Sequence, residues 1–363
     1  MISDDRYQER RSDYDVTNRV DVSSPTAVRQ AVADIFADLY PDTAFDSVWL
    51  AFLDFERFFG GLDRNYRGVD TAYHDIQHTL DITLAMARLI AGYERSAATE
   101  HRLGADRAIL GLITALYHDA GYLRHRERDR ACISGAEYTL THVSRSAEFL
   151  RAYLPTLGLD RFVAVATQIV HFTGYEFSLD SIELDHPLDS TVGHLLGTAD
   201  LIAQMADRCY LEKCRDRLFA EFVLGGIAIE TDAEGAIVRY GSGKDLLAKT
   251  LTFYDRSARY RLESNFSHAY RYLEAYFEDE NPYIVFIKKN LDYLTQILSS
   301  EQWDALRRRP PCIMPDPDGE THMTRLALER IHTLADSHKI SLKSGNRLLP
   351  GYSHQGSRHS RSA

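Results

Sequence analysis

Cysteine is scarce in this chain. Cys132, Cys209, Cys214 and Cys312 are the only four in 363 residues, and none forms a CxxC pair. That argues against a disulfide frame or a zinc ribbon and for the reduced thiols of a cytoplasmic protein. Long apolar runs are missing too. No stretch approaches the roughly 18 apolar residues of a membrane span. The opening segment Met1–Arg6 has neither a basic nor an apolar stretch, so no secretory signal is expected. Positive charge is in deficit: 42 Lys and Arg against 53 Asp and Glu leave a net charge of -11. A surface of that sign repels polyanions, so neither nucleic acid nor membrane is an expected partner. No internal repeat occurs, so a solenoid is not expected.

What is present is globular in composition. With 44% hydrophobic residues and this length, the chain can bury a full core. Residues 1–23 are polar without periodicity and read as a flexible lead. Ser24-Pro25 is a helix start, followed by Val28, Val32, Ile35, Phe36 and Leu39 at helical spacing and a stop at Pro41. A second helix is expected over 45–59, with Val48, Trp49, Phe52, Phe55 and Phe59 on its inner face. Further helices are expected over 74–92, from 105 to 119, and over 134–153 and 160–171, and another opening at Pro187 carries Asp200. Residues 226–231 and 236–240 flank Asp232 to Gly235 and read as a lone β-hairpin. Helices resume to about residue 299. Residues 301–363 read as a polar extension, partly disordered, with one short helix near 322–336. The fold expected is all-α, a bundle of about ten helices with one hairpin near 226–240, and a main domain over 24–300.

Two short stretches carry the chemistry. The first is Tyr73-His74-Asp75-Ile76-Gln77-His78-Thr79-Leu80-Asp81-Ile82; the second is His118-Asp119. In a helix His74 and His78 would share one face, a turn apart. The apolar run Ala108–Leu116 must be buried, so it carries His118 and Asp119 inward, where a metal ion is the commonest partner satisfying both. An HxxxH pair alone means little, since about 0.6 arise by chance at this histidine frequency. The order is more specific: HxxxH, an apolar helix ending in His-Asp, then Asp200 in Gly197-Thr-Ala-Asp-Leu-Ile202. It resembles the HD-domain metal-dependent phosphohydrolase superfamily, closest in wording to its cyclic nucleotide phosphodiesterase branch. The likeness covers roughly residues 70–225, continuing to about 300.

The resemblance implies that His78, His118, Asp119 and Asp200 hold one divalent ion, with Asp119 bridging to a second held by His142 and His171. Two ions per chain (manganese, iron, zinc or magnesium) would supply a metal-activated hydroxide for hydrolysis of a small phosphoester, a nucleotide or cyclic nucleotide. His74 then acts as general acid, so that His74 and Asp119 are the catalytic pair. The run Arg124–Arg130 begins five positions after Asp119, and Arg124 and Arg126 are expected to hold a phosphate. Tyr122 stands where that branch has another histidine, and no glutamine matches its purine clamp. Two other readings use the same scaffold: a di-iron oxygenase with the same six ligands, and a non-catalytic nucleotide-binding signalling module. Chain association is not legible, and a homodimer stays compatible with all three.

Overall fold

The computed structural model describes residues 10–232 and 235–337. The helices follow in order as α1 (Pro25–Leu39), α2 (Asp46–Phe59), α3 (Ile76–Ser96), α4 (Gly104–Leu116), α5 (His142–Tyr153), α6 (Val163–Ile169) and α7 (Pro187–Ala206). Then come α8 (Tyr210–Lys213), a π turn at Cys214–Leu218, and α9 (Phe219–Leu224). After the hairpin lie α10 (Gly243–Phe253), α11 (Tyr272–Phe277), α12 (Pro282–Ser300) and α13 (Gly319–Ser337). The expected all-α bundle with one hairpin is what forms. Strands β1 (Ile229–Asp232) and β2 (Gly235–Val238) pair antiparallel, with Ile229 opposite Val238. No helix among the described residues is long and apolar enough to cross a membrane.

The buried helix α3 is the axis. Almost every residue from Ile76 to Glu94 is buried, because α1, α4, α7 and α11 pack around it. That arrangement explains its apolar content on all sides: a surface helix would show one apolar stripe, but a surrounded one cannot. Ser24 caps α1 by accepting the Ala27 N–H, and Pro25 occupies its first turn. On α2, Val48, Phe52, Phe55 and Phe59 face inward as expected. Trp49 does not: it is 37% exposed and lies under the Arg29 guanidinium, which satisfies its ring from outside.

The helix expected near 322–336 forms as α13, but both ends are tied to the domain more firmly than loose extensions would be. Within residues 10–23, Val16 and Val22 are buried, and Asp15 forms a buried 2.6 Å ion pair with Arg88 of α3. At the other end α13 packs on α9, and the buried Arg217 grips the carbonyls of Pro310 and Pro311 at 2.8 Å and the Glu320 carboxylate. Ile313 exchanges backbone bonds with the start of α3, donating to Asp75 Oδ2 and accepting from the Ile76 N–H. Composition suggested solvated tails, but these few buried anchors outweigh it. Residues 1–9 and 338–363 lie outside the described residues.

Asp81, one turn beyond His78 on α3, has a buried Oδ1 with no hydrogen-bond partner among the described residues. Burial, then the nearby Asp207 and Asp15, push its carboxyl up to about 7, against Arg10 and Arg88. The folded chain therefore holds a proton there that the unfolded chain, with a carboxyl near 4, releases. Stability from this group falls as pH rises from about 4 through 7. Asp81→Asn, which stays neutral, is expected to raise the melting temperature more at pH 8 than at pH 5. Equal shifts in thermal unfolding at the two pH values would show that Asp81 does not titrate this way.

Candidate metal centre

The site is built from the start of α3, the turn after α4 and the middle of α7. Helix α3 begins at Ile76, not at His74: Asp75 takes an extended conformation and its side chain accepts the His78 N–H, stopping the helix there. His74 therefore sits just before the cap, yet its ring stays 5.1 Å from the His78 ring. Helix α4 likewise stops at Leu116, so His118 and Asp119 lie in the turn after it. The His118 Nδ1 faces the Ala115 carbonyl at 2.8 Å, one of the free carbonyls of the helix end. With the proton held on Nδ1, Nε2 is left to face the cluster. Asp200 projects from the middle of α7, steadied by the Gln204 amide at 3.1 Å.

These side chains converge in the interior. His118 Nε2 stands 3.1 Å from Asp119 Oδ2 and 4.0 Å from Asp200 Oδ1, and His78 Nε2 is 3.5 Å from the same Asp119 oxygen. The other oxygen, Oδ1, faces His142 Nε2 at 3.7 Å. Two sets of three ligand atoms lie close enough to share an ion: His78, His118 and Asp200, and His74, His78 and Asp119. His118 Nε2 and Asp119 Oδ2 are buried without a hydrogen-bond partner among the described residues. Buried polar atoms without a hydrogen bond are costly, and a cation between these two satisfies both. The donor set of imidazole and carboxylate fits a divalent transition metal.

The protonation pattern follows from the same geometry. Burial lowers His78 to about 4, so it is neutral and ready to ligate. Burial also opposes charge on His118, but Asp119 and then Asp200 override it and raise His118 to about 9. Asp119 resists burial in turn and is held well below the usual carboxylate range by His118 and His74. Burial lifts Asp200 to about 6 despite His118. Without a cation the cluster keeps a proton on His118, and a cation must displace it.

His142 reaches this cluster and His171 does not. The expected helix over 134–153 is instead a 3₁₀ turn at Gly135–Tyr138 followed by α5, which puts His142 in the first turn with Nδ1 on the Thr139 carbonyl. Its approach depends on Gly121, where a Cβ would lie 1.8 Å from the His142 carbonyl oxygen. His171 sits in a 3₁₀ turn after α6 that buries Val170 and Phe172, leaving His171 half-buried and edge-on to Phe177. It belongs to neither ligand set and does not line the cavity.

The arginines are engaged elsewhere. Arg124 pairs with Asp70 and donates to the Cys132 carbonyl at 2.7 Å; Arg126 is exposed and reaches the Gly61 carbonyl. Neither lines the cavity. Asp70 in turn accepts the Gly135 N–H, so Arg124 holds together the loop between the His-Asp turn and α5. Arg124→Ala is therefore expected to lower stability by about 1–3 kcal/mol, because it leaves Asp70 without its cation. Arg126→Ala should change little. Thermal unfolding of both checks this, and equal melting temperatures would remove the structural role of Arg124.

Glu221 was not anticipated. It is fully buried on α9, and Oε2 meets His74 Nδ1 at 2.5 Å while Oε1 accepts the Tyr73 and His74 N–H groups. Burial alone would lower His74, but Glu221, then Asp119, raise it above the ordinary imidazole range. The Tyr122 ring lies flat against both His74 and His142, with centroids 4.7 and 4.5 Å away. Above the cluster opens a cavity of about 540 Å³, floored by His74, His118, Asp119, His142 and Asp200. Comparison with family models, curated proteins and solved structures finds no match to this chain. A helical chain with a buried His/Asp cluster able to hold metal is compatible with an HD-like arrangement.

Proposed function

We propose that the protein is a metal-dependent phosphohydrolase of the HD type, acting on a small phosphoester in the cavity above the cluster. One observation carries the reading: His118 Nε2 and Asp119 Oδ2 are buried 3.1 Å apart and make no hydrogen bond among the described residues, at the floor of a 540 Å³ cavity, with His78 and Asp200 beside them. His78, His118, Asp119 and Asp200 would hold one ion. His142, 3.7 Å from Asp119 Oδ1, would be the start of a second site, with His74 as a further candidate ligand. When bound, such ions lower the pKa of water and stabilise charge on a phosphoryl group.

The chain's own groups supply the rest. Glu221 keeps a proton on His74 Nδ1 and holds the ring, so that Nε2 can deliver a proton to a leaving oxygen in the cavity. Tyr122 packs on His74 and His142 and limits their rotation. Metal analysis of the purified chain, followed by assay with bis(p-nitrophenyl) phosphate, cyclic nucleotides and nucleoside monophosphates, tests the reading. Bound divalent metal with turnover of at least one ester is expected. Iron with oxygen consumption and no ester hydrolysis would replace this reading with an oxygenase.

A further inference from the structure

The cavity has a His/Asp floor and walls that are largely apolar. Leu201, Leu218, Phe222, Ile227, Leu246 and Phe253 line its sides, and Leu218, Phe222 and Phe253 are only half-buried. At its rim Leu140 is 50% exposed. Apolar side chains left facing a concave space beside a polar floor are the ordinary form of a site for an apolar group.

The charged and amide side chains in the wall are already engaged. Lys249, the one lysine or arginine in the lining, donates to Asp245 at 3.0 Å and to the Arg239 carbonyl at 2.5 Å. Glu176 accepts the backbone N–H groups of Val143 and Ser144 and adds a negative charge. Gln204 is used at both ends: its amide N–H₂ bonds Asp200 and its oxygen accepts the Tyr73 hydroxyl at 2.9 Å. No unengaged amide among the described lining residues is left to read a base edge, and no unengaged lysine or arginine to meet a second phosphate. A second phosphate would find no unengaged cation in this wall, and a base edge no unengaged amide.

We propose that the substrate is a phosphoester of an apolar alkyl or aryl alcohol, its phosphate at the His/Asp floor and its apolar group against this wall. The hydrolase reading sets which end reacts, and the inference rests on it to that extent. The preference of the wall is measurable without turnover.

Calorimetric binding of ethylphosphonate and hexylphosphonate to the metal-replete full chain is the test, with hydrolysis of ethyl and hexyl phosphate beside it. The two alcohols are leaving groups of similar basicity, so chain length reports the wall alone. Four further methylenes, if fully buried, correspond to up to about 200-fold in affinity, and at least about tenfold is expected. Phe253→Ser should reduce that preference to a few-fold. Leu140→Asp, at the half-exposed rim where folding is not at stake, should reduce it as well. A preference for hexylphosphonate with neither ester hydrolysed supports the wall and sinks the hydrolase reading. Hydrolysis of both esters at equal rates, with equal phosphonate affinities, overturns the wall and leaves the hydrolase standing. Tighter binding of cyclic AMP than of hexylphosphonate overturns it too.

Discussion

Asp119→Ala is expected to strip the metal and abolish phosphoester hydrolysis together, to below about a thousandth of the wild-type rate. The reason is the placement of its two oxygens. Oδ2 faces His78 and His118 at 3.5 and 3.1 Å, while Oδ1 faces His142 at 3.7 Å. One carboxylate thus stands between two groups of imidazoles, and it is the negative charge that would let two cations approach each other. Asp119→Asn keeps the volume but not the charge, and should fail in the same way. Metal content by mass spectrometry and turnover on bis(p-nitrophenyl) phosphate are the measurements, with circular dichroism to confirm the fold. A variant that keeps full metal and near-normal turnover would end the bridging assignment. Acidification should act in the same direction, because protons compete with the cation for His118, which is raised to about 9 in the metal-free cluster.

The second large effect belongs to His74. His74→Ala is expected to lower kcat by about 10²–10⁴ with metal content unchanged. The loss should be smaller for esters of good leaving groups such as p-nitrophenolate, which need little proton assistance. His74 also stands within reach of His78 and Asp119 as a ligand set, so the metal count decides its role. A fall in stoichiometry would make it a ligand instead of the acid. Glu221→Gln provides a companion measurement. Glu221 touches no substrate in this reading; it positions His74 through the 2.5 Å contact at Nδ1. Its loss should cost about 10–100-fold, the range usual for groups that orient a site residue. An unchanged kcat on an alkyl ester in His74→Ala would remove both residues from the mechanism.

That His78, His118, Asp119 and Asp200 belong together was expected from the order of three local patterns and the family resemblance that order carries, and the fold does bring them to one place. The hairpin was legible from a local pattern too, two short runs around Asp232–Gly235. Such patterns depend on neighbours in sequence, which set helix, strand and burial directly. They did not place the helix ends at the cluster. Asp75 is itself a cap, so His74 falls outside α3, and the chain turns at Leu116 before His118.

Only the tertiary structure decided which other side chains meet the cluster. His142 and His171 have similar apolar flanks, yet a 3₁₀ turn aims one at Asp119 and the other at Phe177. Arg124 follows Asp119 closely in sequence, but Asp70 holds it away from the cavity. Glu221 lies 147 residues after His74, beyond a π turn that breaks the helical period, and no local signal joins the two. Their contact exists because α9 brings Glu221 against the Tyr73–His74 segment that precedes α3, and contact between distant segments is not written in spacing. The apolar cavity wall has the same origin. Leu218, Phe222, Leu246 and Phe253 come from separate stretches of the chain, and only the fold gathers them around one cavity.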